Sequence, residues 1–409
     1  MKKVLITAYA VDPYKGSEDG TGWNISKSLS ENYNVTVITR KNNAPNIENY
    51  LEENPNTNLN FEYFDLPNWA MWWKKKIGER GYVLYYFLWQ FFIIFFIKRK
   101  RIKFDISHSL NFHSDTHPHF LWMFNKPSFW GPIGHHKKVK FGFVFPFYGW
   151  KDSFKDLIYN CFKWLLSRTN PFFYICLWRS KKVFVINSKI KHRITPFQNK
   201  SIVLPAVAFE TNFKQPIKSF TKDTFNILSI GRFTYIKGFD LTIKSFAHFL
   251  NTINSEEKSK IKLTIIGKGE AKNKLKSLIK ELNIEDNIEI ISWIKYEKIK
   301  EYYKKADTFL FPSHEGAGMV VIEAMYYGLP IICLDNEGPG ELAGNSSIKI
   351  KIEKNKETII NLSKAINQIY QQIDKRVKLS KQGQSRSTNQ FTWKNKAEVI
   401  ALEYEKHSK

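Results

Sequence analysis

Cysteine is scarce: three stand in 409 residues, Cys161, Cys176 and Cys333. Each lies in or beside an apolar run and none belongs to a paired motif. That excludes a disulfide framework or a cysteine metal site and fits a reducing compartment. Acid is also in short supply, with 38 Asp and Glu against 63 Lys and Arg and a net charge of +25. The imbalance points to an anionic partner or surface: nucleic acid, acidic lipid or a phosphorylated substrate. A genome biased toward Lys, Asn and Ile fits it equally well. No apolar run is long enough to span a bilayer. Tyr82 to Ile97, broken only by Gln90, reaches about 24 Å as a helix against roughly 30 Å of hydrocarbon. The opening MKKVLITAYAVD carries a basic pair, but its apolar run is too short for a signal peptide and meets Asp12. It reads as a first strand, and a cytoplasmic protein is expected. Neither a P-loop nor a dinucleotide fingerprint occurs, and no recognised nucleic-acid motif accompanies the dispersed basic residues.

What is present is a strand-and-helix alternation that restarts halfway. Lys3 to Ala10, Val35 to Arg40, Lys103 to Ser107, Ser128 to Trp130 and Lys182 to Asn187 read as strands of one parallel sheet. Phe225 to Ile230, Ile261 to Gly267, Asn287 to Ser292, Asp307 to Phe311 and Pro330 to Leu334 read as strands of a second. Ser201 to Asp223, with two prolines and little periodicity, reads as the linker. The fold class expected is α/β: two Rossmann-like, doubly wound domains, 1–203 and 207–390, followed by a C-terminal segment 391–409. With 43% hydrophobic residues and 33 Phe, the chain can bury sizeable cores.

In such sheets ligands gather beyond the carboxyl ends of the strands. After the first strand comes Gly16-Ser17-Glu18-Asp19-Gly20-Thr21-Gly22, whose glycines and following helix could meet an anion; an ordinary strand-to-helix turn explains it equally well. After Ile230 comes Gly231-Arg232-Phe233-Thr234-Tyr235-Ile236-Lys237-Gly238. An Arg and a Lys five apart suit a diphosphate, although basic loops are common. The stretch SHEGAGMVVIEAMYYGLP, Ser313 to Pro330, is more specific. A helix is predicted from Gly318 to Gly328, apolar on nearly all sides, with Glu323 about one turn inside. A buried carboxylate needs partners, and a pair of adjacent sugar hydroxyls would satisfy both of its oxygens. Glu315, upstream on the loop, could reach a second sugar, with phosphates between. A structural Glu bonded to nearby backbone is the plainer alternative.

The spacing from Glu315 to Glu323 resembles the E-x7-E signature of retaining glycosyltransferases of family 4, which have the GT-B fold, two Rossmann-like domains facing across a cleft. AYAVDPYKGSEDGTGWN, WGPIG at Trp130 to Gly134, GRFTYIKG and PGEL at Pro339 to Leu342 agree with it. The resemblance runs through both halves, with a divergent middle from about Trp69 to Lys200. It implies that Arg232 and Lys237 neutralise a nucleotide diphosphate, Glu323 holds the ribose and Glu315 lies near the donor hexose. Gly316 and the amides of Ala317, Gly318 and Met319, with Val320 and Trp293, would complete the donor site. The loop of Gly16, Ser17 and Gly20 would close over the phosphates from the first domain. His108, directly after KFDIS, resembles the family's histidine near the reacting sugar, with His113 as competitor. The tail FTWKNKAEVIALEYEK resembles a final helix that braces the first domain.

The activity implied by the resemblance is that of a retaining hexosyltransferase, moving a sugar from a nucleotide sugar to a glycan or lipid-linked acceptor in cell-surface polysaccharide biosynthesis. No Asp-x-Asp motif occurs, so no metal or other cofactor is expected. The rival readings are a GT-B-type nucleotide-sugar epimerase and a basic nucleic-acid-binding protein; no nucleic-acid partner is expected. Tyr82 to Ile97, apolar on every side, would pack in a core or dip into an anionic membrane surface at the inner face, and both remain open.

Overall fold

The computed structural model describes all residues except 78, 111–114, 116, 135–138, 196, 211–214, 222, 293 and 409, together with all side chains except theirs and those of 17, 73–75, 77, 79–83, 159, 162, 163, 166, 167, 296 and 297. The chain forms two compact units. One comprises Met1–His135, Phe162–Ala208 and Trp393–Lys409; the other comprises His136–Cys161 and Phe209–Thr392. This division differs from a boundary at 203–207 chiefly in grouping His136–Cys161 with the second unit.

The first unit is built on seven strands: β1 Lys3–Thr7, β2 Asn34–Thr39, β3 Leu59–Tyr63, β4 Ile106–Ser109, β5 Ser128–Ile133, β6 Lys182–Val185 and β7 Ser201–Val203. They run in the order β3-β2-β1-β4-β5-β6-β7, every pair parallel. Ser201–Val203, expected as the start of the linker, instead adds an edge strand to β6. The second unit has six strands: β8 Phe225–Ile230, β9 Ile261–Ile266, β10 Ile288–Ile291, β11 Thr308–Phe311, β12 Ile331–Leu334 and β13 Ser347–Ile350. Their order is β10-β9-β8-β11-β12-β13, again all parallel. Strands covered on both faces are mostly apolar, and β8, FNILSI, buries Phe225, Ile227, Leu228 and Ile230, with Ser229 also buried and Asn226 half-buried.

The apolar stretch around Tyr82 to Ile97 lies in the helix Glu79–Lys100. Tyr85, Tyr86, Trp89, Ile93, Ile94 and Ile97 pack with Leu5, Tyr9, Ile38 and Phe120 in one core cluster. The one polar residue is accommodated: Gln90 Nε2 donates to the Tyr86 hydroxyl at 2.6 Å and to Ser109 Oγ at 3.3 Å. Of the two alternatives, core packing holds for this face; among the helix's described large apolar side chains, Leu84, Phe92 and Phe95 stand exposed. Among the described residues no helix is long and apolar enough to cross a membrane. The helix Trp393–His407 completes the first unit, burying Trp393, Ala397, Ile400 and Tyr404 against Val4, Ile6, Trp23 and Leu29.

Candidate functional site

In each sheet the strand order reverses beside its first strand: between β1 and β4, and between β8 and β11. Loops leaving the carboxyl ends at such a point part to make a crevice. In the second unit those loops are Gly231 to Gly238 and Pro312 to Gly318. They are stitched together: the His314 amide donates to Ile236 O at 2.8 Å, and Ser313 Oγ donates to the same oxygen at 3.2 Å. A short 3-10 turn, Tyr235–Lys237, presents the lysine. Gly238 follows with φ +67°, and a Cβ there would fall 2.3 Å from Pro312 O, so both backbone conformation and close approach require glycine. The loop after β12 closes the third side. Asn336 Nδ2 donates to Ser313 O at 2.7 Å, while its Oδ1 accepts from the amides of Gly338 and Gly340 at 3.2 and 3.3 Å. A Cβ at Gly338 would meet Glu315 O at 2.0 Å.

Held this way, the Lys237 ammonium lies 2.5 Å from Glu315 Oε2 and 5.3 Å from the centre of the Phe311 ring. Both side chains of the pair are about 15% exposed, so the contact is partly shielded but open to a ligand. Glu315 Oε1 is buried and has no hydrogen-bond partner among the described residues. Burial pushes the Glu315 carboxyl above the ordinary carboxylate range, while Lys237 and then Arg232 pull it back. Arg232 is exposed on the same loop. A buried carboxylate oxygen without a donor calls for one, and two cations beside it call for an anion. A phosphorylated polyol supplies both.

The helix Met319–Tyr326 begins at Gly318, and among the described residues no side chain caps it; the Val321 amide bonds back to Gly318 O at 3.0 Å, and the helix's positive end lies at the loop. Gly316, Ala317, Met319 and Val320 are half-buried around that end. Glu323 is buried within the helix, and the buried Tyr303 hydroxyl donates to its Oε2 at 3.0 Å. Tyr303 is itself stacked on Tyr327 at 5.3 Å. Arg232, Lys237, Glu315 and the 316–323 helix start are therefore gathered in one unit. Phe311, Tyr303 and Asn336, which hold or shield these groups, were not anticipated. Phe311 ends β11 and Asn336 follows β12 by two residues, but Tyr303 lies within the helix Tyr296–Lys305, and its partner Glu323 is distant in sequence.

Gly16 and Gly20 lie in the first unit. Gly16 precedes the helix Ser17–Leu29, and a Cβ at Gly20 would meet Lys15 O at 2.5 Å. Its glycine is thus explained by local packing. Glu18 and Asp19 occupy the first turn. The side chain of Ser17, and His113 and Trp293 as a whole, lie outside the described residues.

His108 is a correction. β4 runs two residues beyond the expected end, and His108 pairs with Ile6 on one side and Phe129 on the other. It is fully buried. Its Nε2 donates to Gly131 O at 2.8 Å, leaving Nδ1 to accept from the Tyr404 hydroxyl at 2.6 Å. Neither nitrogen is left for a sugar; His108 ties β4 to β5 and to the C-terminal helix. Burial depresses it to about 4 and the neighbouring buried His119 to about 3. Such groups favour the unprotonated folded state, so their contribution is full above the unfolded value of 6.5 and is lost as pH falls through 4. Thermal melts should show the first unit losing stability over that window, and His108→Gln should flatten the slope. An identical slope in the variant would mean that His108 is open to solvent and available for function.

Residues 210–386, which lie within the second unit, match the family model for glycosyl transferases group 1. Amylovoran biosynthesis glycosyltransferase AmsD of Erwinia amylovora is 29% identical over 198 residues, 47% of this chain and 54% of that protein. A Campylobacter jejuni N-acetylgalactosamine-N,N'-diacetylbacillosaminyl-diphospho-undecaprenol 4-alpha-N-acetylgalactosaminyltransferase is 33% identical over 138 residues, 33% of this chain and 35% of that one. The matches thus span about half or less of these curated relatives. Among solved structures, Anabaena Alr3699/HepE in complex with UDP has a TM-score of 0.63 at 12% identity, covering 99% of this chain and 100% of that one. WaaG, a glycosyltransferase involved in lipopolysaccharide biosynthesis, has a TM-score of 0.60 at 14% identity, covering 98% and 99%. The architecture these share with the chain is the GT-B fold.

Proposed function

We propose that the protein is a retaining glycosyltransferase of the family 4 type, moving a hexose from a nucleoside diphosphate sugar to a glycan or lipid-linked acceptor in the assembly of a cell-surface polysaccharide. The observation that carries this is the contact of Lys237 with Glu315 inside the stretch that matches the glycosyl transferases group 1 model, with the second Glu315 oxygen buried and without a hydrogen-bond partner among the described residues. In the donor complex Lys237 exchanges part of its contact with Glu315 for the diphosphate, and Arg232 grips it from the exposed side. The Glu315 carboxylate then accepts from hydroxyls of the donor hexose. Glu323 accepts from the ribose hydroxyls, and the amides at the start of the helix Met319–Tyr326 face the phosphates. As the glycosidic bond opens, charge gathers on the leaving diphosphate, where Lys237, Arg232 and the helix end already stand. Preorganised charge of this kind needs no reorganisation during reaction. With two cations of the chain in that place, we invoke no metal. Attack by the acceptor on the face the leaving group vacates retains the anomeric configuration, and the leaving oxygen takes the acceptor proton.

The relatives' named roles in amylovoran and undecaprenol-linked glycan synthesis, and a neighbour solved with UDP-glucose, support donor and acceptor classes of this kind. The free thiols of Cys176 and Cys333, both pushed up by burial, suit a reducing cytoplasm. The test is mass spectrometry of the purified protein against a panel of UDP- and GDP-sugars with and without glycan acceptors. Acceptor-dependent release of the nucleoside diphosphate, with the donor's anomeric configuration kept in the product, is expected. Donor isomerisation without an acceptor would favour the epimerase instead.

A further inference from the structure

The segment His136–Cys161 is covalently part of the first half but folds with the second unit. It forms a hairpin of the helix Phe141–Tyr148 and the first half of the helix Trp150–Thr169, turning at Gly149 with φ +84°. Its inner face is bound firmly beside the donor loops. The Tyr148 hydroxyl donates to the buried Asp240 at 3.3 Å, and Lys274 Nζ donates to Tyr148 O at 2.9 Å. Tyr235, two residues before Lys237, donates through its hydroxyl to Asp156 Oδ1 at 3.0 Å. Phe143 stands edge-on to His314, next to Glu315, with ring centres 5.0 Å apart.

Among the described residues its outer face has no such cover. Trp150 is 70% exposed and Phe154 61%, and Leu157 and Ile158 continue them. These positions, at i, i+4, i+7 and i+8, make one stripe along the helix. Phe141 and Phe145 lean on Trp150, at 5.6 and 4.7 Å between ring centres, and extend the patch across the elbow. Beneath it lies an apolar cavity of about 70 Å³ between Val144, Trp150 and Leu157. Lys151 and Lys155 stand exposed along one edge of the stripe and Lys140 at its end, while of the helix's two acids Asp152 is half-buried and Asp156 buried. Aromatic rings beside solvated lysines match the boundary of an anionic bilayer, where rings enter the acyl region and ammonium groups meet phosphate. A soluble partner would need acidic complementarity along one edge only, whereas a leaflet presents it everywhere.

We infer that this hairpin docks the protein on an anionic bilayer, holding the donor loops at the surface where a lipid-linked acceptor resides; only that consequence rests on the proposed function. The experiment is flotation of the full chain with vesicles of equal parts phosphatidylglycerol and phosphatidylcholine at low salt, against phosphatidylcholine alone. Wild type should float with the mixed vesicles only. Trp150→Ser with Phe154→Ser should weaken the apparent affinity about tenfold or more. Lys151→Gln with Lys155→Gln should weaken it about fivefold per lysine, an effect that added salt abolishes. All four side chains are exposed, so donor turnover in vesicle-free buffer should match wild type and report intact folding. Equal binding to phosphatidylcholine, undiminished binding by both double variants, or a solution dimer that only the aromatic variant loses would each overturn the inference. A chain that floats as expected but turns over no donor would leave docking standing and sink the proposed function.

Discussion

Lys237→Ala is expected to lower kcat about 100-fold or more while the protein remains folded. The ammonium is the shielded cation of the pair, 2.5 Å from Glu315 and over the Phe311 ring. In the proposed reaction its interaction strengthens as charge collects on the leaving diphosphate, so its loss falls on the transition state. Donor KM should change less, because Arg232 still meets the ground-state phosphates. The deletion also strips a partly buried carboxylate of its ion partner, which carries a stability cost of its own. The two effects separate in the double variant Lys237→Ala, Glu315→Gln, where the orphaned charge is gone. Its melting temperature should recover toward wild type, and turnover should not. A kcat for Lys237→Ala close to wild type on a verified donor would remove the lysine from the diphosphate site.

How much of the fold and site is legible in the sequence depends on the range of the interactions that decide each feature. β8 follows Phe225 to Ile230 residue for residue, because Phe225, Ile227, Leu228 and Ile230 bury within a short run that Gly231 ends. The loops Gly231 to Gly238 and Pro312 to Gly318 were legible as candidates because strand end, glycine and charge stand within a few residues. His108 was not. Whether β4 continues past Ser107 is settled by β1 and β5, which take His108 between Ile6 and Phe129; the run KFDISHS itself permits either ending. Three edge strands, Leu59–Tyr63, Ser201–Val203 and Ser347–Ile350, went unread because they are short and only partly buried. The aromatic segment from Val139 to Asp156 shows the limit most clearly. Its composition announces burial, but its partners, Asp240, Tyr235 and His314, are many residues away. Only tertiary packing could decide which unit it joins.

Glu323→Ala is expected to act on the other kinetic constant. The carboxylate is buried in the helix Met319–Tyr326, one oxygen accepting from the Tyr303 hydroxyl at 3.0 Å. As a holder of ribose hydroxyls it would make the same contacts before and during reaction. Removing such uniform binding raises KM and leaves kcat nearly unchanged. A hydrogen bond to a charged group contributes about 1.5–3 kcal/mol, so losing it from two hydroxyls should raise donor KM roughly 100-fold or more. A purely structural glutamate predicts a different pattern, a lower melting temperature with the donor KM intact. Tyr303→Phe makes the comparison clean. It removes the hydrogen bond from the Tyr303 hydroxyl to Glu323 but keeps the ring on Tyr327 and leaves the carboxylate in place for ribose. That variant should lose stability and keep most of its donor affinity, while Glu323→Ala loses affinity. If both variants shift the melting temperature alike and neither moves KM, Glu323 serves the fold through Tyr303 and the ribose must be bound elsewhere.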